Sequence, residues 1–224
     1  SVAIAFDFVN GFHDSANSIA TVVATRVLKP VQAVTLAALG NFVGIVLGTA
    51  VAKTIANDIV QPSALAFHPV SIVLAALVGA LAWDLITWYR GLPTSSSHAL
   101  IGGLIGAGAM AAGFAAVKGD KVLDKVVIPM VTSPVIAFFF AFLFTALILQ
   151  IGRHSTVHKV NFWFRKLQIG SSFFYSVTHG TNDAQKTMGI ITALLIANGM
   201  LAAGSGVPLW VMIAAHAAIS LGTF

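Results

Sequence analysis

Apolar runs of membrane-spanning length alternate with short polar stretches along the whole chain. A helix crosses a bilayer with roughly 20 mostly apolar residues. That rule divides the sequence into segments at residues 1–28, 31–56, 69–89, 126–151, 169–197 and from 208 onward, with a glycine-rich apolar run ending at Phe114. Gly40, Gly44 and Gly48 recur every fourth residue, which puts them on one helix face where another helix can come close; Gly102 and Gly106 predict the same use. Polar connections lie around Asn57, Asp58, Pro62 and His68, across residues 118–125 with Asp120 and Asp124, and along the basic stretch 153–166.

Two polar islands break the pattern. Residues 10–18 read Asn-Gly-Phe-His-Asp-Ser-Ala-Asn-Ser, and residues 179–187 read His-Gly-Thr-Asn-Asp-Ala-Gln-Lys-Thr, each within an apolar segment. Ionisable residues at that depth are costly and mark function. Both islands are expected to interrupt their helices, because broken backbone survives in a membrane only where it faces protein, water or ligand. Placing Asp14 on Asp183, an offset of 183 − 14 = 169, also places Gly11 on Gly180, His13 on Asn182 and Ser18 on Thr187. If each segment crosses once, the two islands run in opposite directions. The expected fold class is therefore an all-α membrane protein, an inverted-repeat transporter with discontinuous or re-entrant helices and a site near the midplane.

Composition makes the membrane reading firm. The chain is 58% hydrophobic and 8% charged with a mean hydropathy of +0.92, whereas a soluble domain carries about 25% charged residues. There are no cysteines, so disulfides and thiolate metal sites are excluded. Twelve Lys and Arg against seven acids, all of them Asp, give a net charge of +5. In a membrane chain that excess marks cytoplasmic loops rather than nucleic-acid binding. Arg26, Lys29, Arg90, Arg153, Lys159, Arg165 and Lys166 fall on one side, against Lys53, Lys118, Lys121 and Lys125 with Asp58, Asp120 and Asp124 on the other. The first side is expected to be cytoplasmic, unless a re-entrant hairpin around Pro93 changes the count.

The islands carry the candidate chemistry. Asp14, Asn17, Asn182 and Asp183 supply two carboxylates and two amide oxygens, hard donors suited to a small cation or to exchange of a proton; if the ion is sodium, Asp14 and Asp183 are its metal ligands. At residues 93–98, Pro93 ends one helix, Thr94 or Ser95 caps the next, and the free N–H groups of the new helix carry partial positive charge. With Thr94, Ser95, Ser96 and Ser97 this reads either as a neutral oxyanion cradle or as a plain capped helix start. Asp7, His13, Asp84, His98, Gln185 and Lys186 are accessory candidates. Asp7 is placed as a further cation ligand, His13 and His98 as structural or proton-transferring, Asp84 as a lone acid near a helix end between Trp83 and Trp88, and Lys186 as attracting an anion or neutralising Asp183.

Three motifs, at residues 10–18, 88–98 and 180–186, resemble in order and context those of the inorganic phosphate transporter family, the bacterial low-affinity phosphate permeases. The resemblance implies two inverted repeats with phosphate and its coupling cation between them. Phosphate would then lie on Thr94, Ser95, Ser96 and Ser97 with Asn17 and Asn182, and the cation on Asp14, Asn17, Asn182 and Asp183. The family's second Ser/Thr-rich loop is absent here and both ends fall in apolar sequence, so the chain is expected to be truncated at both ends. Residues 1–151 would form the first repeat, 152–166 a basic cytoplasmic connection, and 167–224 the start of the second.

The function so implied is secondary active symport by alternating access, with sodium or a proton as coupling ion, no cofactor and no enzymatic activity. The partners are inorganic phosphate, alone or as a metal-phosphate complex, the lipid bilayer and a second copy in a homodimer; nucleic acid is not among them. Localisation would be multi-pass in the bacterial cytoplasmic (inner) membrane. The alternatives are transport of sulfate or another tetrahedral oxyanion, and an intramembrane serine hydrolase built on Ser95 to Ser97 with His98. The hydrolase lacks an oriented acid, and adjacent Ser and His side chains point apart along a helix.

Overall fold

The computed structural model describes residues 2–48, 69–202 and 204–224. Asn57, Asp58, Pro62, His68 and Lys53 lie outside the described residues. Among those described there is no strand. We label the main helices α1 (Val2–Ala24), α2 (Pro30–Val43, continued by a 3-10 turn Gly44–Leu47), α3 (Pro69–Arg90), α4 (Ser96–Ala112), α5 (Ile128–Gly152), α6 (Val157–Ala197) and α7 (Leu209–Thr223). The expected polar loop before α5 is a helical turn, Gly119–Val122, followed by a π-helical stretch, Leu123–Val127.

Both islands differ from expectation in one respect: they sit within unbroken helices, α1 and α6. Neither contains proline, and one glycine in a helix interior costs only about 1 kcal/mol. Their side chains find partners on facing helices, so the backbone has no reason to open. The basic stretch differs too. Only Arg153 to Thr156 separates α5 from α6, and from Val157 the basic residues belong to α6.

Glycines set how the helices meet. A Cβ on Gly11 would strike the Ile219 carbonyl of α7, and one on Gly222 the Phe8 carbonyl of α1. Between α2 and α6 the same holds: Gly44 faces the Val177 carbonyl at 2.9 Å and Gly180 faces the backbone of Asn41. The two crossings are reciprocal. Phe8 and Val177 differ by 177 − 8 = 169, the offset of the islands, while Gly44 and Gly222 differ by 222 − 44 = 178, as do the helix-starting Pro30 and Pro208. The α1–α7 contact therefore matches the α6–α2 contact. Gly40 serves the same α2–α6 seam, but a Cβ added at Gly48 would meet nothing.

Helices α3 and α4 form a hairpin. Gly91, at φ +64°, closes α3 with N–H bonds from Gly91 to Trp88 O and from Leu92 to Thr87 O, a glycine-dependent helix stop. Pro93 follows and Ser95 caps α4, accepting from His98 N. The close approach within the hairpin falls at Gly103, against the Ala76 carbonyl, whereas Gly102 and Gly106 face open space. Ala76, Leu77, Ala80, Leu100 and Leu104 pack with Ala3 and Phe6 of α1 and Ile190 of α6. The hairpin thus lies beside the first half of α1, and its tip ends near the middle of that helix.

Among the described residues, three stretches are long and apolar enough to cross a membrane: Pro30–Leu47, Val70–Arg90 and Gly119–Gly152. Helix α5 has no buried residue.

Candidate functional site

Unbroken helices put residues four apart on one face. Helix α1 presents Asn10 and Asp14 in this way, and α6 presents His179 and Asp183, followed by Lys186 and Thr187. These faces meet. The fully buried Asn10 donates from Nδ2 to Asp183 Oδ2 at 2.9 Å. Its Oδ1 accepts from Ser96 Oγ of α4 at 2.5 Å, and that hydroxyl also lies 3.4 Å from Asp14 Oδ2. Lys186 Nζ sits 2.6 Å from Asp183 Oδ1 and donates to Ser97 Oγ. One turn away, Thr187 donates to the buried Asp7 at 2.6 Å.

The protonation of His179 follows from a chain of bonds reaching back to α7. Thr223 gives its hydroxyl proton to Ile219 O at 2.8 Å, so its lone pair accepts from Asn41 Nδ2 at 2.7 Å. That orients the Asn41 amide with Oδ1 toward His179 Nδ1, 3.0 Å away. Nδ1 must therefore carry the proton, and in the neutral ring Nε2 is an acceptor. Nε2 has no hydrogen-bond donor of its own and faces Asp14 Oδ2 at 3.6 Å and Asp183 Oδ2 at 3.5 Å. Three acceptor atoms, all within 4.8 Å of one another, converge on one point. With neutral imidazoles, Asp14, Asp183 and Lys186 sum to one uncompensated negative charge. A proton on Nε2, or a cation held by all three groups, would balance it.

The start of α4 closes one side of this cluster. The first N–H groups of a helix lack intrahelical partners and favour an anion. Ser95 is the cap, Ser96 is tied to α1 and Ser97 to Lys186, while Thr94 accepts from Trp83 Nε1 at 3.1 Å. The cradle expected to be neutral is thus flanked by a lysine, which contacts both Asp183 and a serine.

Other expected residues are placed apart. Asn17 and Asn182 are exposed and are not drawn into the Asp14–Asp183 cluster. His13 lies 3.4 Å from Asp14 and 3.5 Å from Thr87 Oγ1 of α3. Gln185 donates to Gly48 O at 2.8 Å. Asp84 is fully buried. His98 is exposed and meets Ser95 through its backbone N–H, so the serine hydrolase alternative finds no catalytic pair. Conversely Asn10, Asn41 and His179 were not among the expected site residues. Asn10 and His179 each stand four residues before an island acid, a signal readable only if the helices are continuous.

Comparison with known proteins fits this architecture. The sequence profile of the Phosphate transporter family matches residues 10–224. The chain belongs to that family. It is 50% identical over 221 residues to a probable low-affinity inorganic phosphate transporter of Bacillus subtilis (strain 168), covering 99% of this chain and 66% of that one. It is 46% identical over 224 residues to the Rhizobium meliloti (strain 1021) protein of the same description, covering 100% and 66%. With the Escherichia coli (strain K12) low-affinity inorganic phosphate transporter PitA it shares 34% over 221 residues, covering 85% and 44%. The chain thus spans between under half and about two thirds of the length of these relatives. A solved structure described as the sodium-dependent phosphate transporter superposes with a TM-score of 0.77 at 22% identity, covering 99% of this chain and 72% of that one. At that identity the likeness speaks for the fold. The relatives are named as transporters, not enzymes, and the chain is an all-α membrane protein.

Proposed function

We propose that this chain forms the cation site and one phosphate-binding helix start of a secondary transporter that carries inorganic phosphate together with a coupling cation by alternating access. The observation that carries the reading is the convergence of Asp14, Asp183 and His179 Nε2 on one point, beside the start of α4. Two carboxylates facing an imidazole nitrogen that has no donor call for a positive charge, and that charge offsets the anion beside it. Family membership favours phosphate as the anion. Sodium or a proton is the coupling ion; the sodium-dependent neighbour favours the first and the imidazole nitrogen the second. The nitrogen donor also favours a second reading, in which phosphate travels as a complex with a divalent metal, since imidazole suits such ions better than it suits sodium.

The reciprocal α1–α7 and α6–α2 crossings support an inverted repeat, with residues 1–151 as the first unit, the basic stretch 152–166 on the cytoplasmic side and 167–224 opening the second. The hairpin tip near the middle of α1 supports re-entry from one face. We place the protein as multi-pass in the bacterial cytoplasmic membrane and leave a homodimer as its assembly to be tested by mass in detergent.

The test is phosphate uptake by the full-length protein in proteoliposomes, with sodium and pH gradients imposed separately and sulfate added as competitor. Asp14→Asn and Asp183→Asn are each expected to lower gradient-driven uptake at least 10-fold. Unchanged uptake in both variants overturns the cation assignment, and equal competition by sulfate overturns the phosphate assignment.

A further inference from the structure

Asp84 stands outside the cluster just described. It is fully buried in α3, and neither carboxylate oxygen has a hydrogen-bond partner. An ionised carboxylate so placed is strongly disfavoured unless a donor or cation meets it. Among the described residues no such group is in contact. The titratable and charged groups around it are His13 and Asp14 of α1 and Lys186 of α6, and the one titratable residue of the adjoining α4, His98, is exposed. A metal site is also disfavoured, because Asp84 belongs to no group of converging acidic or imidazole ligands among the described residues.

We infer that Asp84 is a proton-binding site, carrying one proton as the neutral acid when the hairpin is packed against α1 and releasing it when the hairpin moves away. Its position fits such a role. One turn further along α3, Thr87 meets His13, which lies beside Asp14. A charge appearing on Asp84 is therefore felt at the cation site. The step is simple: a carboxylate takes one proton from water on one side of the membrane and returns it as carboxylate on the other. That a proton taken up here is coupled to phosphate rests on the transport reading above, but its presence does not.

Two measurements on the full-length protein separate these points. Infrared difference spectroscopy of the wild type is expected to show the C=O band of a protonated carboxylic acid, lost in Asp84→Asn. Absence of that band, or its persistence in the variant, overturns the inference whatever the protein transports. In proteoliposomes with equal sodium on both sides, Asp84→Asn is expected to lose pH-driven phosphate accumulation at least 10-fold while phosphate-for-phosphate exchange stays within 3-fold, and Asp84→Glu to restore accumulation. PH-driven accumulation retained in Asp84→Asn overturns the coupling role. Parallel loss of accumulation and exchange in both variants marks a packing role and overturns it as well. If the wild type moves no phosphate under any gradient, the transport reading fails while the infrared result still decides the proton site.

Discussion

Lys186 is the cation that the cluster already contains, and removing it gives the sharpest test of the electrostatics. Its ammonium lies 2.6 Å from Asp183, with side-chain exposures of 11% and 14%. At an effective dielectric of about 20, attraction across 2.6 Å is roughly 6 kcal/mol before desolvation. Breaking a buried pair by removing one partner costs about 3–5 kcal/mol, because the other charge is left alone. Lys186→Met is therefore expected to destabilise by that amount. It should cost more than Asp183→Asn, since it leaves two carboxylates facing each other across His179 Nε2. The double variant leaves no orphaned charge from the pair and should recover about 2 kcal/mol relative to the sum of the singles. The assay is thermal unfolding of the purified full-length protein in detergent, with sodium varied. A ligand that binds only the folded state stabilises it, so added sodium should raise the midpoint of Lys186→Met more than that of the wild type. Additivity of the two substitutions within about 0.5 kcal/mol refutes the coupling.

Two further substitutions probe the scaffold. In Gly180→Ala the new Cβ meets the Asn41 backbone. That overpacking should cost about 1–3 kcal/mol in thermal unfolding and lower phosphate uptake, whereas Gly102→Ala, with open space around it, should leave both unchanged. Asn41→Leu strips the acceptor from His179 Nδ1 and the donor from Thr223. Leaving such groups unpaired costs about 1–3 kcal/mol. The concentration of coupling cation giving half-maximal uptake should rise roughly 10-fold, the equivalent of about 1.4 kcal/mol, while an unchanged value speaks against a positioning role.

Apolar periods and polar breaks located two helices closely, residues 69–89 as Pro69–Arg90 and 126–151 as Ile128–Gly152. The segment expected at 169–197 begins twelve residues earlier, at Val157. The polar islands were legible as special, but their backbone was not. An island of Asn, Asp and Gly reads as a helix breaker when each residue is taken alone. Only partners such as Ser96 for Asn10 and Asn41 for His179, 86 and 138 residues away, make the helix affordable. The same reason hid the site's composition. Asn182 neighbours Asp183 in sequence, yet 3.6 residues per turn carry it off the face that His179 and Asp183 share. Asn17 stays on the Asn10 side of its helix but lies seven residues further along, where it is exposed. Gly103 rather than Gly102 makes the close contact because the register of the hairpin is set by its turn at Gly91, which spacing along one helix does not reveal.

The contacts also divide the molecule mechanically. At the α1–α7 and α6–α2 crossings, glycines bring backbone against backbone, with carbonyls of one helix where the other lacks a Cβ. At such seams sliding either helix drives a residue with a Cβ into a carbonyl. The α3–α4 hairpin is held differently. It rests on α1 and α6 through apolar side chains, and polar bonds attach its tip through Ser96 to Asn10 and through Ser97 to Lys186. Both anchors lead to the same acid: Asn10 donates to one oxygen of Asp183 and Lys186 to the other. On the proposed reading, a cation entering beside His179 would compete for these oxygens and loosen both anchors at once. The same reading makes the hairpin the part expected to move in alternating access, with Asp183 shared between the proposed coupling ion and the start of α4.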